Sequence, residues 1–454
     1  MSLDEKSAEI VAKDAAKASG HAVHFAGLAA LSGGLKAARF KLDNGLTLLT
    51  LPDSQAPIFA FQTWFSVGSR HEPKGKTGIA HLFEHLMFKG TKTHPLGEFD
   101  HEMEKRGAQT NAATWVDWTY YRESLPALGD NFETVLGYES DRMVNLALTQ
   151  EMVDSEREVV KNERRLRVDD SIHGSLDELM YQTAFIAHSY GHPTIGYMDD
   201  LNAMTLKEFE AFYQAYYAPN NANVVIVGDL DPVRMVTGVA KAYGAIQRQP
   251  VPPPPTAVEP PQKDIRRAAI KKPTDTERAS IVFHGPPQSH EDHAALQVAA
   301  EILCGGETGR IYSELVIDKE LCQEAHASLT PYKEPGLFQI DIGMKPGLEH
   351  AQAEAIVVAH LQKLAKEGPA AKEVEKTKNR IEAAFLRVLL DADGKAEQIG
   401  HFETTAGDAS FLSTVLERLR KVDERAVQRA AEKYLNPNAR TVACALPENE
   451  ERQA

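Results

Sequence analysis

The chain has 454 residues, 43% of them hydrophobic and 25% charged, with a formal net charge of −15 at neutral pH. That length predicts two or more domains with full cores, and the excess of acid argues against nucleic acid as a partner. No stretch approaches eighteen apolar residues, so no membrane-spanning helix and no membrane partner is expected; Cys304, Cys322 and Cys444 fit neither a disulfide framework nor a zinc-ribbon spacing and read as buried thiols.

Residues 1–36 read as an N-terminal extension. Residues 1–19 alternate acidic, basic and alanine residues and lack a basic segment followed by an apolar one. This points to a soluble, reduced compartment: cytoplasmic, or periplasmic if a signal has been removed. The absence of a presequence and the compact length suggest a bacterial protein. Residues 37–42 and 46–51 then predict two strands around the turn Asp43-Asn44-Gly45, and residues 58–67 a third.

His81-Leu82-Phe83-Glu84-His85 follows, an H-x-x-E-H pattern. On a helix, positions i and i+4 share a face, so the two imidazoles can grip one ion. Glu84 projects from nearly the same face and can take a proton from a water that zinc has acidified. With 17 histidines in the chain, a chance match is roughly a 1 in 20 event, so the flanks matter. Ile79, Leu82, Phe83, Leu86 and Met87 make the helix mostly buried, with Gly90 to close it. Two histidines and a glutamate are costly to bury there without a partner.

Residues 112–125 predict a return to strand, with Trp115, Trp118, Tyr120 and Tyr121, and helices dominate 131–217. Within 154–165, Glu156 and Glu163 lie seven apart on one helix face, at ~10 Å along the axis. One can be the third metal ligand and the other can orient the site, but the pattern does not choose between them, and a solvated charged helix reads the same way. Residues 223–227 form a buried strand. The proline-rich segment 249–264 is a stiff linker between residues 37–248 and 265–454.

The two halves repeat. Tyr216-Tyr217-Ala218-Pro219-Asn220 recurs as Tyr434-Leu435-Asn436-Pro437-Asn438, at an offset of 218. At 217, Glu156, Glu158, Lys161 and Asn162 match Glu373, Glu375, Lys378 and Asn379, while Glu163 falls on Arg380. The stretch opposite the motif, 294–305, has no H-x-x-E-H. The expected architecture is two homologous α+β domains related by duplication, enclosing a peptide-binding cavity, with metal ligands in the first alone.

The chain resembles the pitrilysin/insulinase-type zinc peptidases, the inverzincins, which include the mitochondrial processing peptidases. The resemblance rests on the H-x-x-E-H motif and on Glu156-Arg157 followed by Glu163, 78 residues after His85, and it runs from about residue 40 to 450. It implies that His81, His85 and Glu163 bind Zn2+, that Glu84 is the general base, and that Glu156 supports the site. Gly107-Ala108-Gln109-Thr110-Asn111-Ala112 matches the family's G-x-x-x-N-A pattern, which implies an edge strand that binds peptides in extended form through Asn111 and Ala112. One departure stands out. The family places an Arg and, seven residues later, a Tyr in the second half, where this chain has Val316 and Gln323. The expectation is the zinc-bearing subunit of a heterodimeric metallopeptidase whose homologous partner supplies that pair. A self-sufficient homodimer and a non-catalytic structural or peptide-binding subunit are the alternatives.

Overall fold

The computed structural model describes residues 3–448. Its contacts divide the chain into two compact units, each holding a segment from the other half of the sequence. The first unit comprises residues 3–161, 194–255 and 385–414; the second comprises 162–193, 256–384 and 415–448. Seven helices matter below: α1 (Glu5–Ser19), α2 (Ile79–Leu86), α3 (Gln150–Arg164), α4 (Ile172–Ala184), α5 (Asp292–Cys304), α6 (Ala371–Val388) and α7 (Ala392–Ala406).

The first unit is built on β1 (Val23–Ala30), β2 (Lys36–Leu42), β3 (Thr47–Pro52), β4 (Ile58–Phe65), β5 (Gln109–Thr114), β6 (Thr119–Pro126) and β7 (Ala222–Gly228), in the order β1-β2-β3-β7-β4-β6-β5. Among the described residues of this sheet, only the β3–β7 pair is parallel. The strands β4 and β7 are apolar along nearly their whole length because both faces are covered. The strand β5 closes the sheet and is exposed over its first three residues, as an edge strand of Gln, Thr and Asn should be.

The second unit is built on β8 (Arg266–Lys272), β9 (Arg278–His284), β10 (Cys322–Leu329), β11 (Leu337–Met344) and β12 (Thr441–Pro447), in the order β8-β12-β9-β11-β10, again with one parallel pair, β8–β12. Strand for strand this is the order β3-β7-β4-β6-β5 of the first sheet, so the duplication extends to topology. The fold is α+β in two domains.

Residues 4–36, expected as an extension, are built into the first unit. Asp4 caps α1 by accepting from the Ser7 amide at 2.7 Å, and Ala8, Val11, Ala12 and Ala15 bury one face of the helix. The strand β1 pairs with β2. Residues 245–263 have no helix or strand, and Glu259 is anchored there, accepting from the amides of Ile186, Ala187 and His188 at 2.9–3.0 Å.

Each sheet is covered by a helix from the other half of the sequence. The helix α4 lies on β8, β9 and β12, where Arg266 donates to the Ala184 carbonyl at 2.6 Å. The helix α7 lies on β4 and β7, and there Arg39 makes a two-pronged contact with Glu403 at 3.0 and 2.6 Å. Gly400 of α7 passes so close to Trp64 that a Cβ would meet its Nε1 at 2.1 Å. The offset of 217 carries residues 172–184 to 389–401, a stretch that largely overlaps α7, so the exchange is reciprocal.

Candidate metal centre and active site

The motif helix is pinned at its start. Gly78 and Gly196 both have positive φ (+90° and +83°), and the chains cross where a Cβ on Gly78 would meet Ile195 O at 2.6 Å and one on Gly196 would meet Thr77 O at 2.2 Å. The Glu72 carboxylate accepts from the Gly78 and Ala80 amides, both at 2.9 Å, so an anion caps the positive end of α2. Asp200 accepts from the Thr77 amide and hydroxyl at 3.0 and 2.6 Å. The helix ends at Leu86, earlier than Gly90 suggested. A tighter turn carries the chain to Gly90 (φ +95°), with the Lys89 amide donating to Leu86 O at 3.0 Å.

The imidazoles of His81 and His85 lie 4.9 Å apart, centroid to centroid, with planes at 77°. The helix α3 carries Glu163. One ligand atom from each of His81, His85 and Glu163 lies within 4.8 Å of the others, and all three residues are half-buried. Two ring nitrogens and a carboxylate oxygen at this spacing fit a zinc ion with a position left open.

Glu156, two turns earlier on α3, is 4% exposed. Its Oε1 meets Lys89 Nζ at 2.6 Å and its Oε2 lies 3.5 Å from His85 Nδ1. Burial alone would raise its carboxyl pKa, but His85 and Lys89 hold it below the usual range. Glu156 therefore stays an anion facing Nδ1 of His85. Glu163 Oε1 also lies 2.9 Å from Nε of Arg167, whose side chain is 72% exposed.

Glu84 is 8% exposed, and its Oε2 accepts from the Thr114 hydroxyl at 2.6 Å. Thr114 is the last residue of β5, the edge strand that carries Asn111 and Ala112. Asn111 opposes Arg122 and Ala112 opposes Tyr121 across β6, and the Ala112 amide donates to Asn111 Oδ1 at 2.9 Å. Residues 112–125, expected as a single strand, form a hairpin instead. Its tip, residues 115–118, is held because the Ser69 and Arg70 amides both donate at 3.0 Å, to Trp115 O and Val116 O. Asp117 pairs with Arg70 at 3.3 Å, with both side chains buried. A Gly68 Cβ would lie 2.2 Å from Trp115 O, so close approach of backbone to backbone forces the turn.

At the offset of 217, His81 and His85 correspond to Val298 and Ile302 of α5, both buried, and Glu84 to Glu301. Glu163 corresponds to Arg380 of α6, and Arg380 Nε lies 2.6 Å from Glu301 Oε1. Glu373, the counterpart of Glu156, is gripped by Arg310 at 2.7 and 2.6 Å, and its carboxyl is held below the usual range by that hydrogen bonding. An arginine–glutamate pair thus stands where the first unit gathers donors. The two departures noted in the second half lie on neighbouring elements. Val316 is half-buried in the π-helical turn Ser313–Asp318, and exposed Gln323 is the extra residue of a bulge in β10.

Sequence reasoning missed Thr114, Lys89 and the Glu301–Arg380 pair. Lys89, four residues after His85, carried a helical-spacing signal. Thr114 is thirty residues from Glu84 and carried none.

The model of the insulinase family (peptidase family M16) matches residues 48–197, and that of the peptidase M16 inactive domain matches 203–381. The chain belongs to the M16 family of peptidases. It is 32% identical to the zinc protease PqqE of Helicobacter pylori over 352 residues, 77% of this chain and 79% of that one. It is 24% identical to the uncharacterized zinc protease YmxG of Bacillus subtilis, over 85% of this chain and 92% of the relative. The crystal structure of a protease from Helicobacter pylori superposes with a TM-score of 0.87 at 29% identity, covering 91% of this chain and all of that one. No helix among the described residues is long and apolar enough to cross a membrane.

Proposed function

We propose that this chain is a zinc-dependent peptidase in which His81, His85 and Glu163 hold the ion and Glu84 is the general base. The observation that carries the reading is the convergence of two imidazoles and a carboxylate within 4.8 Å, on a helix that also presents a buried glutamate. When bound, zinc supplies Lewis acidity that acidifies water and polarises a carbonyl. Glu84 takes the proton of the attacking water and returns it to the leaving amine. Glu156 orients His85, and Lys89 holds Glu156. Peptide substrates add in extended form along the open edge of β5, at Asn111 and Ala112, using main-chain hydrogen bonds that are indifferent to side chains.

The finer proposal is that the chain works with a homologous partner. Val316 and Gln323 supply no strong donor for a developing oxyanion where the family has Arg and Tyr. A homodimer active without other chains is the second reading. Cleavage of a mixed quenched-peptide pool by the purified chain with zinc, with Glu84→Gln as control, separates them. Glu84-dependent turnover by the chain alone supports the homodimer. A folded, zinc-loaded chain that cleaves only after a homologous chain is added supports the heterodimer. Turnover that survives Glu84→Gln overturns the assignment of the base.

A further inference from the structure

We infer that Thr114 is a positioning residue that fixes the Glu84 carboxylate and ties the base to the strand on which the peptide is bound; this rests on the proposed role of Glu84. The buried Glu84 has one carboxylate oxygen, Oε2, taken by the Thr114 hydroxyl at 2.6 Å, a length expected of a hydrogen bond to a charged group. The proton is placed by the next link. The Thr119 hydroxyl lies 2.9 Å from the Val67 carbonyl and 3.3 Å from Thr114 Oγ1, so its proton goes to the nearer carbonyl and that of Thr114 is free for Glu84. Thr114 opposes Thr119 in the last pair of the β5–β6 ladder, immediately before the clamped hairpin tip, so the donor sits on rigid backbone. This bond fixes the orientation of the Glu84 carboxylate about its last torsion.

The strand gives this bond a second consequence. Ala112 and Thr114 are two apart and share one face of β5, and the outer edge of that strand is open. A peptide added to this edge lies along the same backbone that carries Thr114. Peptide and base are thereby positioned by one strand, the base through a single hydroxyl.

The test compares Thr114→Val, which keeps the β-branched shape, Thr114→Ser, which keeps the hydroxyl, and Glu84→Gln. Each is made in the form in which the wild type cleaves peptides, alone or with the chain that copurifies with it. Thr114→Val is expected to lower kcat by about 10- to 100-fold with KM, zinc content and thermal midpoint unchanged, and Thr114→Ser to restore most of it. Unchanged kcat in Thr114→Val, beside a dead Glu84→Gln, overturns the role of Thr114 and leaves the peptidase reading standing. A Thr114→Val that loses zinc or its thermal midpoint in proportion to kcat makes the residue merely structural and overturns the inference. Full activity in Glu84→Gln removes the base and the inference with it.

Discussion

The two units share a sheet order and differ at one constellation. In the first half of the sequence, α2 and α3 bring His81, His85 and Glu163 together, and α2 also carries Glu84. In the second, the same places hold Val298, Ile302, Arg380 and Glu301, and the last two form an ion pair at 2.6 Å. A guanidinium supplies the positive charge that an ion would supply, so the supporting carboxylate survives as Glu373, held by Arg310 as Glu156 is by Lys89. The fold therefore tolerates either solution.

The sharpest way to break this comparison is to change the corresponding glutamates. Glu84→Gln is expected to lower kcat by about 10²- to 10⁴-fold with zinc retained, and Glu301→Gln to leave peptide cleavage unchanged. Equal losses in the two variants would mean that the second site takes part in the chemistry. Next comes the pair that separates ion from guanidinium. Glu163→Gln should weaken zinc binding by at least about 100-fold and Glu156→Gln by about 10- to 100-fold. Arg380→Met should leave zinc content alone and cost under about 1 kcal/mol, since its ion pair is partly exposed. Metal titration and urea denaturation of the three variants give the answer.

Acid tests what the units have in common. His401 in the first and His293 in the second are each pushed down to about 4, in both cases chiefly by burial. Their folded pKa values lie below the ordinary 6.5, so the unfolded chain binds more protons between these limits. Stability is then full above pH 6.5 and falls as the pH drops toward 4, by up to a factor of about ten in the folding constant per pH unit for each imidazole. Denaturation midpoints at pH 7 and pH 5 check this, and His401→Gln should flatten part of the slope. The smallest effect concerns the residue two before each edge strand. Gly107 precedes β5 with φ +71°, whereas Glu320 precedes β10 with φ 49° and is the one non-glycine residue at positive φ among the described residues. Glu320→Gly should stabilise the chain by about 0.5–1 kcal/mol, read as a shift in thermal midpoint. No gain would mean that the contact of Glu320 with Lys345 at 2.9 Å offsets the strain.

Much of this was legible because the signals are local or periodic. Residues i and i+4 share a helix face wherever the helix lies, so His81 and His85 announce themselves as a pair. The duplication was legible from matched residues at one offset, and the topology of the two sheets follows it. Residues 112–125 read as one strand because Trp, Tyr and Thr favour strands on either side of a turn. The turn itself depends on Gly68, Ser69, Arg70 and Asp117, which lie in or pair with a loop more than forty residues upstream. The interchange of α4 and α7 between the halves of the sequence left no trace in periodicity, because an amphipathic helix does not record which sheet it covers.

By itself, then, the sequence determined the family, the two-domain α+β architecture and the candidate ligand pair, since each is written in spacing along one chain segment. Tertiary structure alone decided that Glu156 meets Lys89 and His85, that Thr114 donates to Glu84, and that Arg380 meets Glu301. These contacts join elements thirty to eighty residues apart, and a distance between two elements is fixed by the packing between them and not by the residues that meet.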